Sequence, residues 1–290
     1  MKILVVTNMY RGSNRASPWQ GVFVTEQVDA LRRSGDCSVD VLVIEGYRDK
    51  GEYLRSIGQV WKAARRGRYD VVHYHFGLSA EISARLRGLH RRVETIPCAV
   101  DETVFVARHD DTRAEPAVPI VVFPSSPKRP EKNYRLFAQV LRQLSEQHGI
   151  QVQERHIDGL DRGEVRDLLA GAACLLMTST REGSPQSVKE AMAVGLPVVS
   201  VDVGNVRQLL DGVSPGMVVF DHDAGRLTNE LADVLTAGAR SNGRERLAAL
   251  GCLSADVSTK LKALYASLRT PRRFARDLPA TEKPDHEATR

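Results

Sequence analysis

The sequence predicts an α/β protein made of two doubly wound parallel-sheet units. Two observations indicate this fold class. Short runs rich in Val and Ile alternate with longer stretches whose apolar residues recur at helical spacing, first in residues 1–100 and again in residues 117–252. A polar stretch without periodicity, residues 101–116, separates the two series and is predicted to be a linker. Such alternation is typical of βαβ units and therefore of parallel sheets.

The N-terminal unit contains three predicted strands: KILVVTN, SVDVLVIEG and YDVVHYHF. After the first strand, Val24, Val28 and Leu31 are spaced to share one face of a helix, and Gly35 is a typical helix end. A second helix is predicted over residues 52–67. The residues expected to share its buried face are Leu54, Ile57, Val60, Trp61 and Ala64. A short third helix is expected in EISARLRGLH.

The C-terminal unit repeats the pattern. Its predicted strands are PIVVF, IQVQERHI, ACLLMTS, LPVVSVDV and GMVVF, with helices between them and a long helical region from Ala224 onward. Ligands of doubly wound sheets bind outside the carboxyl ends of the strands, so the turns after these strands are where we expect a site. A cleft between the two units is the other expected feature. Residues 271–290 are polar and predicted to be disordered.

Composition places the chain among soluble globular proteins, with 290 residues, 42% hydrophobic and 27% charged. Its four cysteines lie far apart and form no C-x-x-C pair, which is typical of a cytoplasmic protein and argues against a structural zinc site. Residues 1–100 contain 16 Lys and Arg against 10 Asp and Glu. This basic part suits an anionic surface or substrate. A nucleic-acid partner is not expected, because only 6% of the residues are aromatic.

The most informative segment is EGSPQSVKEAMAVGLPVVS, which begins at Glu182. Ser184 is predicted to cap a helix, with Pro185 at the first helical position and Gly195 just past the end. A helix start preceded by glycine is an anion site, and the flanking glutamates, Glu182 and Glu190, are suited to accept hydrogen bonds from ligand hydroxyl groups. The alternative is ordinary capping, with a capping box formed by SVKE.

A second segment, PSSPKRPEKN, follows the strand PIVVF and precedes a helix. Arg129 and Lys132 are suited to hold a diphosphate and to stabilise it as it leaves. The alternative is a solvated loop. The sequence contains neither G-x-G-x-x-G nor a Walker lysine loop, so a dinucleotide site and a P-loop both lose support.

Two features of the N-terminal unit leave alternatives open. His73 and His75 lie on one face of a strand end, as residues of a cleft or of the core, and a metal pair is disfavoured because no third ligand is near in the sequence. Residues 52–68 combine Trp61 with Lys62, Arg65, Arg66 and Arg68, as in helices that lie on anionic lipid, but the apolar stripe is also explained by packing on the sheet.

Together these segments resemble the family-4 retaining glycosyltransferases of the GT-B fold. The similarity rests on EGSPQSVKEAMAVGLPVVS, which matches the family's pattern of two glutamates separated by seven residues, and on RPEKN ahead of it. The segments DVVHYHFGLSA and RVETIPCAVDETVF add less specific similarity. The resemblance implies a GT-B-like fold, with two doubly wound domains facing each other across a cleft. It also implies a helix at residues 253–270 that crosses back to the N-terminal domain.

The resemblance implies roles for individual residues. Glu190 would hold the ribose hydroxyls of a nucleotide sugar, and Glu182 would contact the transferred sugar. Arg129 and Lys132 would neutralise the diphosphate leaving group. Further donor contacts would come from Gly21, Gly183, Ser184, Pro185, Gln186 and Ser187. Neither a metal ion nor a cofactor is implied, because cations and helix ends supply the electrostatic stabilisation.

One departure from the family concerns the N-terminal domain, which is predicted to be shortened. Here HFGLSA runs almost directly into EISARLRGLHRRVETIPCAVD, where the family has further strands and a histidine near the reacting sugar. Two functions remain open for the chain. One is retaining transfer of a hexose-type sugar to a glycan or lipid-linked acceptor in polysaccharide synthesis, in the cytoplasm or at the inner face of the membrane. The other is a catalytically impaired nucleotide-sugar-binding or scaffold protein. A nucleotide-sugar epimerase is less favoured, since no acid/base set is evident.

Overall fold

The computed structural model describes residues 1–8, 10, 21–44, 51–75, 96–106 and 118–269. Within them the chain forms two parallel β-sheets, each packed against helices. Some predictions concern residues outside this part of the chain. These are the third helix of the N-terminal unit, the shortening after residue 76, most of the linker, and the disordered C-terminal tail.

The N-terminal sheet has the strand order β2-β1-β3, and all its pairings are parallel. Its strands are β1 (Lys2–Thr7), β2 (Ser38–Val43) and β3 (Val71–Tyr74). The helices that follow β1 and β2 are α1 (Val22–Arg33) and α2 (Gly51–Gly67). The predicted face of α1 is confirmed, because Val24, Val28 and Leu31 are fully buried.

The predicted inward face of α2 is confirmed at Val60 and wrong at Trp61, and the side chains of Leu54, Ile57 and Ala64 lie outside the described part of the structure. Ser56 and Val60 are buried, whereas the side chain of Trp61 is 56% exposed. Ser56 and Val60 lie one helical turn apart and define the face that meets the sheet. A residue adjacent to Val60 is rotated by about 100° from it, and Trp61 therefore points to the solvent.

The C-terminal sheet has the strand order β5-β4-β6-β7-β8, again fully parallel. Its strands are β4 (Ile120–Phe123), β5 (Gln153–His156), β6 (Cys174–Met177), β7 (Val198–Val201) and β8 (Met217–Val219). The helices between the strands are α3 (Tyr134–His148), α4 (Arg162–Gly171), α5 (Gln186–Ala193) and α6 (Val206–Leu210). Strands β6 and β7 are buried along their whole length, as expected for a sheet covered on both faces.

The long helical region predicted from Ala224 consists of three helices. They are α7 (Ala224–Ala237), α8 (Gly243–Ala249) and α9 (Ser254–Arg269). Gly238 and Gly251 adopt left-handed backbone conformations after α7 and α8, with φ of 59° and 61°. Glycine takes this conformation at no steric cost, so each of these residues ends a helix rather than continuing it.

Phe123, the last residue of β4, forms the aromatic centre of the C-terminal core. Its side chain is fully buried, and its ring centroid lies 5.0 Å from that of Phe137 and 5.3 Å from that of Tyr134. The His156 ring lies 5.8 Å away on β5. The chain leaves the sheet immediately after Phe123, so this cluster fixes the start of the loop that carries Arg129.

Helix α9 and residues 98–105 join the two sheets. Val257, Leu261 and Tyr265 of α9 share a core with the buried face of α1. Val100 pairs with Leu253 in a parallel bridge. The guanidinium group of Arg244 on α8 donates hydrogen bonds to the carbonyl oxygens of Phe105 and Ala193. These contacts tie the segment between the two sheets to the end of α5.

Candidate functional site

A pocket of about 280 Å³ lies between the two sheets. Val22, Phe23 and Glu26 of α1 line it from the N-terminal side. The other lining residues follow β4 and β5 or belong to α4 and α5: Pro124, Ser125, Ser126, Arg129, Ile157, Asp158, Gly159, Leu160, Arg162, Val165, Gln186 and Glu190. The volume is close to the lower end of the range for small-molecule sites. The pocket therefore lies in a cleft of the predicted kind, at the carboxyl ends of β4 and β5.

The loops after β4 and β6 meet beside this pocket. Strands β4 and β6 are neighbours in the sheet. The strand that follows β4 in sequence lies toward one edge of the sheet, and the strand that follows β6 lies toward the other edge. Doubly wound sheets bind ligands at such a topological switch point. The backbone N–H of Thr180 donates to the carbonyl oxygen of Glu131 across the two loops. The Thr178 hydroxyl donates to the carbonyl oxygens of Lys132 and Asn133. Both predicted functional segments are thus held against each other.

Lys132 and Glu182 form a hydrogen-bonded ion pair in these loops. Lys132 Nζ lies 2.6 Å from Glu182 Oε1, and the two side chains are only 10% and 13% exposed. Lys132 ends a short 3₁₀ turn, Pro130–Lys132, and Asn133 follows with a positive φ of 53°, which turns the chain into α3. An ammonium group has three donors, so the contact with Glu182 leaves two of them for a ligand.

Arg129 lines the pocket but is only half buried. Its guanidinium group contacts Glu131 Oε1, with Nη2 at 2.5 Å and Nε at 2.8 Å. Exposed ion pairs of this kind contribute little to stability. Arg129 is therefore free to exchange this partner for an anionic ligand at little energetic cost.

Glu190 lies on α5, where every residue from Val188 to Ala193 is buried, and is itself only 4% exposed. Arg162 covers it, with Nη1 donating to Glu190 Oε1 at 2.6 Å. Arg162 Nη2 lies 2.6 Å from Glu26 Oε1 on α1. Its guanidinium carbon lies 4.4 Å from the centroid of the Phe105 ring. Arg162 is thus sandwiched between the two sheets.

Burial raises the pKa of Glu26 from its ordinary value of 4.5 to about 7. The attraction of Arg162 opposes this change, and the neighbouring carboxylates of Glu190 and Asp101 reinforce it. The same two glutamates raise the pKa of the Arg162 guanidinium above its ordinary value, although desolvation acts in the opposite direction. The site therefore holds a permanent cation between two carboxylates, one of which titrates near neutral pH.

Helix α5 begins one residue later than predicted. Pro185, not Ser184, is the N-cap, and the helix starts at Gln186. Proline lacks the N–H of the first helical turn and bears no polar side chain, and no side-chain capping bond forms at this end. The capping interpretation, including the capping box in SVKE, is therefore wrong. Gly195 does lie just past the helix, with φ of 73°.

The turn at Gly183 is held by the loop after β7. Asn205 N–H donates to the Gly183 carbonyl oxygen at 3.0 Å. A Cβ atom at Gly204 would lie 2.4 Å from that oxygen, so only glycine fits there. Of the predicted site residues, Arg129, Gln186 and Glu190 line the pocket, and Gln186 also donates to the Ala99 carbonyl oxygen. The other predicted site residues are not among the described residues that line it: Gly21, Lys132, Glu182, Gly183, Ser184, Pro185 and Ser187.

Gly21 is the N-cap of α1, as predicted for a residue at a helix N-terminus. It is buried, with φ of 76°, and the next two residues line the pocket. This left-handed conformation favours glycine. The first N–H groups of α1 thus lie beside the pocket on the side opposite α5.

His73 and His75 stack on each other, with ring centroids 4.5 Å apart. His73 Nδ1 lies 2.5 Å from the Tyr265 hydroxyl, and His75 meets the edge of Phe23, a pocket residue. Desolvation lowers the pKa of His73 to about 4 and that of His75 to about 3. Among the described residues that line the pocket, neither histidine is present. Both histidines are partly buried, and His75 packs against Phe23, so the pair adjoins the pocket without lining it.

The sequence interpretation missed Arg162, Glu26 and the serines after β4. A signal for Arg162 was present, since DRGE follows the carboxyl end of a predicted strand just as RPEK and EGSP do. Asp161 caps α4 in a complete capping box with Glu164, and this fixes where the helix starts and hence where Arg162 lies. Glu26 gave no signal of this kind, because its position depends on how the two sheets meet.

Residues 136–249 match the family model described as Glycosyl transferases group 1. Solved structures of glycosyltransferases resemble the chain over most of its length. Sucrose-phosphate synthase from Thermosynechococcus elongatus superimposes with a TM-score of 0.69 and 15% identity, covering 92% of this chain and 99% of that one. The fold is GT-B-like. The GT-B-like assignment agrees with the two facing sheets and the pocket between them.

Two further structures share the GT-B-like fold. HepE from Anabaena, solved with UDP-glucose, gives a TM-score of 0.62 at 13% identity, covering 92% of this chain and 100% of that one. A glycosyltransferase of avilamycin A biosynthesis gives 0.60 at 18% identity, covering 93% and 98%. No curated protein sequence matches the chain at a significant level.

Among the described residues there is no group of three or more His, Cys, Asp or Glu side chains placed to bind a metal ion. None of the helices within the described ranges has the length and apolar character required to span a bilayer. All four cysteines have free thiols.

Proposed function

We propose that the protein is a retaining, metal-independent glycosyltransferase that uses a nucleotide-diphosphate sugar as its donor. The observation that carries this proposal is the pairing of both signature glutamates with cations at one cleft. Glu190 is bound to Arg162, and both line a pocket to which both sheets contribute. Glu182 is bound to Lys132, three residues after Arg129, which also lines that pocket. The match of residues 136–249 to the group 1 family and the GT-B-like fold support the same function.

The polar groups of the site suit the parts of such a donor. The Glu190 carboxylate accepts hydrogen bonds from the ribose hydroxyls at the buried end of the pocket. Arg129 and Lys132 lie at the carboxyl ends of the strands, where they bind the diphosphate oxygens. Buried polar atoms of pocket residues, Gln186 Oε1 and Glu26 Oε2, have no hydrogen-bond partner among the described residues, so capacity remains for a polar ligand.

In the proposed reaction the bond between the anomeric carbon and the diphosphate oxygen breaks. The acceptor hydroxyl oxygen forms the new bond on the same face, and its proton passes to the departing diphosphate. Lys132 and Arg129 stabilise the charge that develops on the leaving group. Glu182, held by Lys132, contacts the sugar and fixes its orientation relative to that charge.

The proposed acceptor is a glycan or a lipid-linked glycan of polysaccharide synthesis. The proposed place of action is the cytoplasm, including the inner face of the membrane. A hexose-type sugar is the proposed group transferred, since HepE, which shares the fold, was solved with UDP-glucose. UDP is therefore the first nucleotide to test.

Substitution of Glu190 by Ala should weaken nucleotide diphosphate binding. Loss of two hydrogen bonds from ribose to a buried carboxylate is expected to raise the Kd by about 30-fold. Titration calorimetry with UDP, GDP and ADP measures the wild type, and the nucleotide that binds is then titrated into the variant. Glu146→Ala, an exposed position on α3, is the matched control and should leave the Kd unchanged.

The outcomes separate the two functions. If Glu190→Ala binds the nucleotide as tightly as the wild type, the ribose assignment is wrong. Turnover of the matching sugar nucleotide, measured as release of nucleotide diphosphate with retained configuration in the product, supports the enzyme. Binding without any turnover, even slow hydrolysis, selects the impaired nucleotide-sugar-binding protein instead.

Peripheral contact with anionic membrane is a further proposal for helix α2. Trp61 is exposed together with Lys62, Arg66 and Arg68, so an aromatic side chain and three positive charges face the solvent. Flotation with vesicles containing anionic lipid should recover the wild type. The Lys62→Glu, Arg66→Glu variant should bind the vesicles at least about 30-fold more weakly, since each basic residue contributes about 1 kcal/mol and two of them are lost. Equal recovery of both proteins would contradict the contact.

A further inference from the structure

Arg162 has an unusual position for a residue outside the signature segments. It bridges a carboxylate of α5 and a carboxylate of α1, at 2.6 Å in both cases, and so connects the two sheets. All three side chains are largely buried, with exposed fractions of 19% for Arg162, 12% for Glu26 and 6% for Glu190. The planar guanidinium group also stacks on the ring of Phe105, which belongs to the segment that joins the two sheets in the sequence.

We propose that Arg162 is a positioning residue of the nucleotide-sugar site, which orients Glu190 for the ribose and connects it to the N-terminal domain through Glu26. This inference rests on the proposed function of the pocket. It assigns Arg162 and Glu26 to donor binding although neither belongs to the segments EGSPQSVKE or RPEKN.

The contact with Glu190 explains the positioning. Arg162 binds Glu190 at Oε1, and within the described part of the chain no residue donates a hydrogen bond to Oε2. Oε2 is therefore the oxygen left for ribose hydroxyls. A buried carboxylate without a cation partner would reorient toward solvent or take up a proton, and either change removes the acceptor.

The contact with Glu26 explains the connection between the domains. Glu26 belongs to α1, so its contact with Arg162 forms only when the two sheets stand close together. A ligand that touches pocket residues from both sheets also favours this closed arrangement. Two interactions that favour the same state are coupled, so a change at Glu26 alters nucleotide affinity through closure, in addition to any contact of Glu26 Oε2 with the ligand.

The sign of the coupling follows from the groups around Glu26. Three charged groups act on Glu26: Arg162 on α4, Glu190 on α5, and Asp101 in the segment between the two sheets. Burial dominates and raises the pKa of Glu26 from 4.5 to about 7, so closing takes up a proton. Ionisation of Glu26 has no effect on closure below pH 4.5. It weakens closure progressively as the pH rises from 4.5 to 7, and the weakening is constant above pH 7. Glutamine at this position accepts a hydrogen bond from Arg162 without a charge.

The test measures the Kd for UDP at pH 6 and pH 8. Arg162→Gln should raise the Kd by about tenfold, and Arg162→Lys should recover only part of this loss, because a lysine cannot hold two carboxylates in a fork. The ratio of the wild-type Kd to that of Glu26→Gln should increase by about fivefold from pH 6 to pH 8. Because UDP titrates equally in both measurements, its own ionisation cancels in the ratio.

Asp29→Asn is the matched control, since Asp29 is a half-exposed carboxylate on the same helix that pairs with Arg32. The ratio of the wild-type Kd to the Kd of Asp29→Asn should not change with pH. If Arg162 had a merely structural role, its substitution would lower stability, and the ratio of the wild-type Kd to the Kd of Glu26→Gln would be the same at pH 6 and pH 8. That flat ratio, or an unchanged Kd in folded Arg162→Gln and Arg162→Lys, overturns the proposal.

Failure of the proposed function is distinguishable from failure of the bridge. If the wild type binds none of UDP, GDP and ADP, the proposed function fails. The bridge is then decided by a double-mutant cycle of Glu26→Gln and Arg162→Gln in urea unfolding. The bridge is supported if the effect of the double variant on the unfolding constant differs by about fivefold from the product of the two single effects. Additive effects overturn it.

Discussion

Lys132→Ala is expected to lower kcat/KM for the sugar nucleotide by about 1,000-fold. The ammonium group is the buried cation of the β4 loop, and its removal takes away the charge that stabilises the departing diphosphate. The change also leaves Glu182 largely buried without its partner, which should cost about 2 kcal/mol of the free energy of unfolding. Release of nucleotide diphosphate gives the rate, and urea unfolding gives the stability.

Two further variants separate these effects. Lys128→Ala removes an exposed charge from the same loop and should change the rate by less than about twofold. The double variant Lys132→Ala, Glu182→Ala removes the unpaired carboxylate and should recover stability but not the rate. A double variant that regains the wild-type rate would show that Lys132 serves only to neutralise Glu182.

Phe123→Ala is expected to lower the free energy of unfolding by about 4 kcal/mol. The ring is fully buried against Phe137, Tyr134 and His156, and its neighbours belong to a sheet and a helix that cannot collapse into the space. This loss is a large part of the stability of an ordinary domain. Urea unfolding followed by circular dichroism measures it.

The matched control is Phe220→Ala, because the side chain of Phe220 is 68% exposed. Its removal takes away a contact with Arg207 and little else, so a change of less than about 0.5 kcal/mol is expected. Phe123→Leu keeps most of the volume and should cost about 1 kcal/mol. A loss below about 1 kcal/mol in Phe123→Ala would contradict the central position of the ring.

Local sequence patterns predicted the elements of both sheets. Most strands were evident from continuous apolar runs, because a parallel sheet covered on both faces needs them, whereas the edge strand β5 is polar. The buried face of α1 followed from the spacing of Val24, Val28 and Leu31. Errors arose where a single residue decided the outcome. Trp61 lies next to the buried stripe rather than within it, and Pro185 replaces Ser184 at the start of α5.

The candidate site was predictable in part. Arg129, Lys132, Glu182 and Glu190 follow strands that are adjacent in the sheet, and their proximity follows from the topology alone. Their pairings did not follow. The sequence interpretation assigned Lys132 to a ligand, whereas the structure binds it to Glu182 as well.

The sequence by itself determined the two βα series, the strands at whose carboxyl ends a site must lie, and the types of residue found there. The spacing of apolar residues and the local composition are properties of a few neighbouring residues, and these features depend only on that local pattern. Only the tertiary structure decided that Arg162 lies between Glu26 and Glu190, and that His75 packs against Phe23. Those contacts join residues from 28 to 136 positions apart in the sequence, and their energies depend on burial that no local pattern encodes.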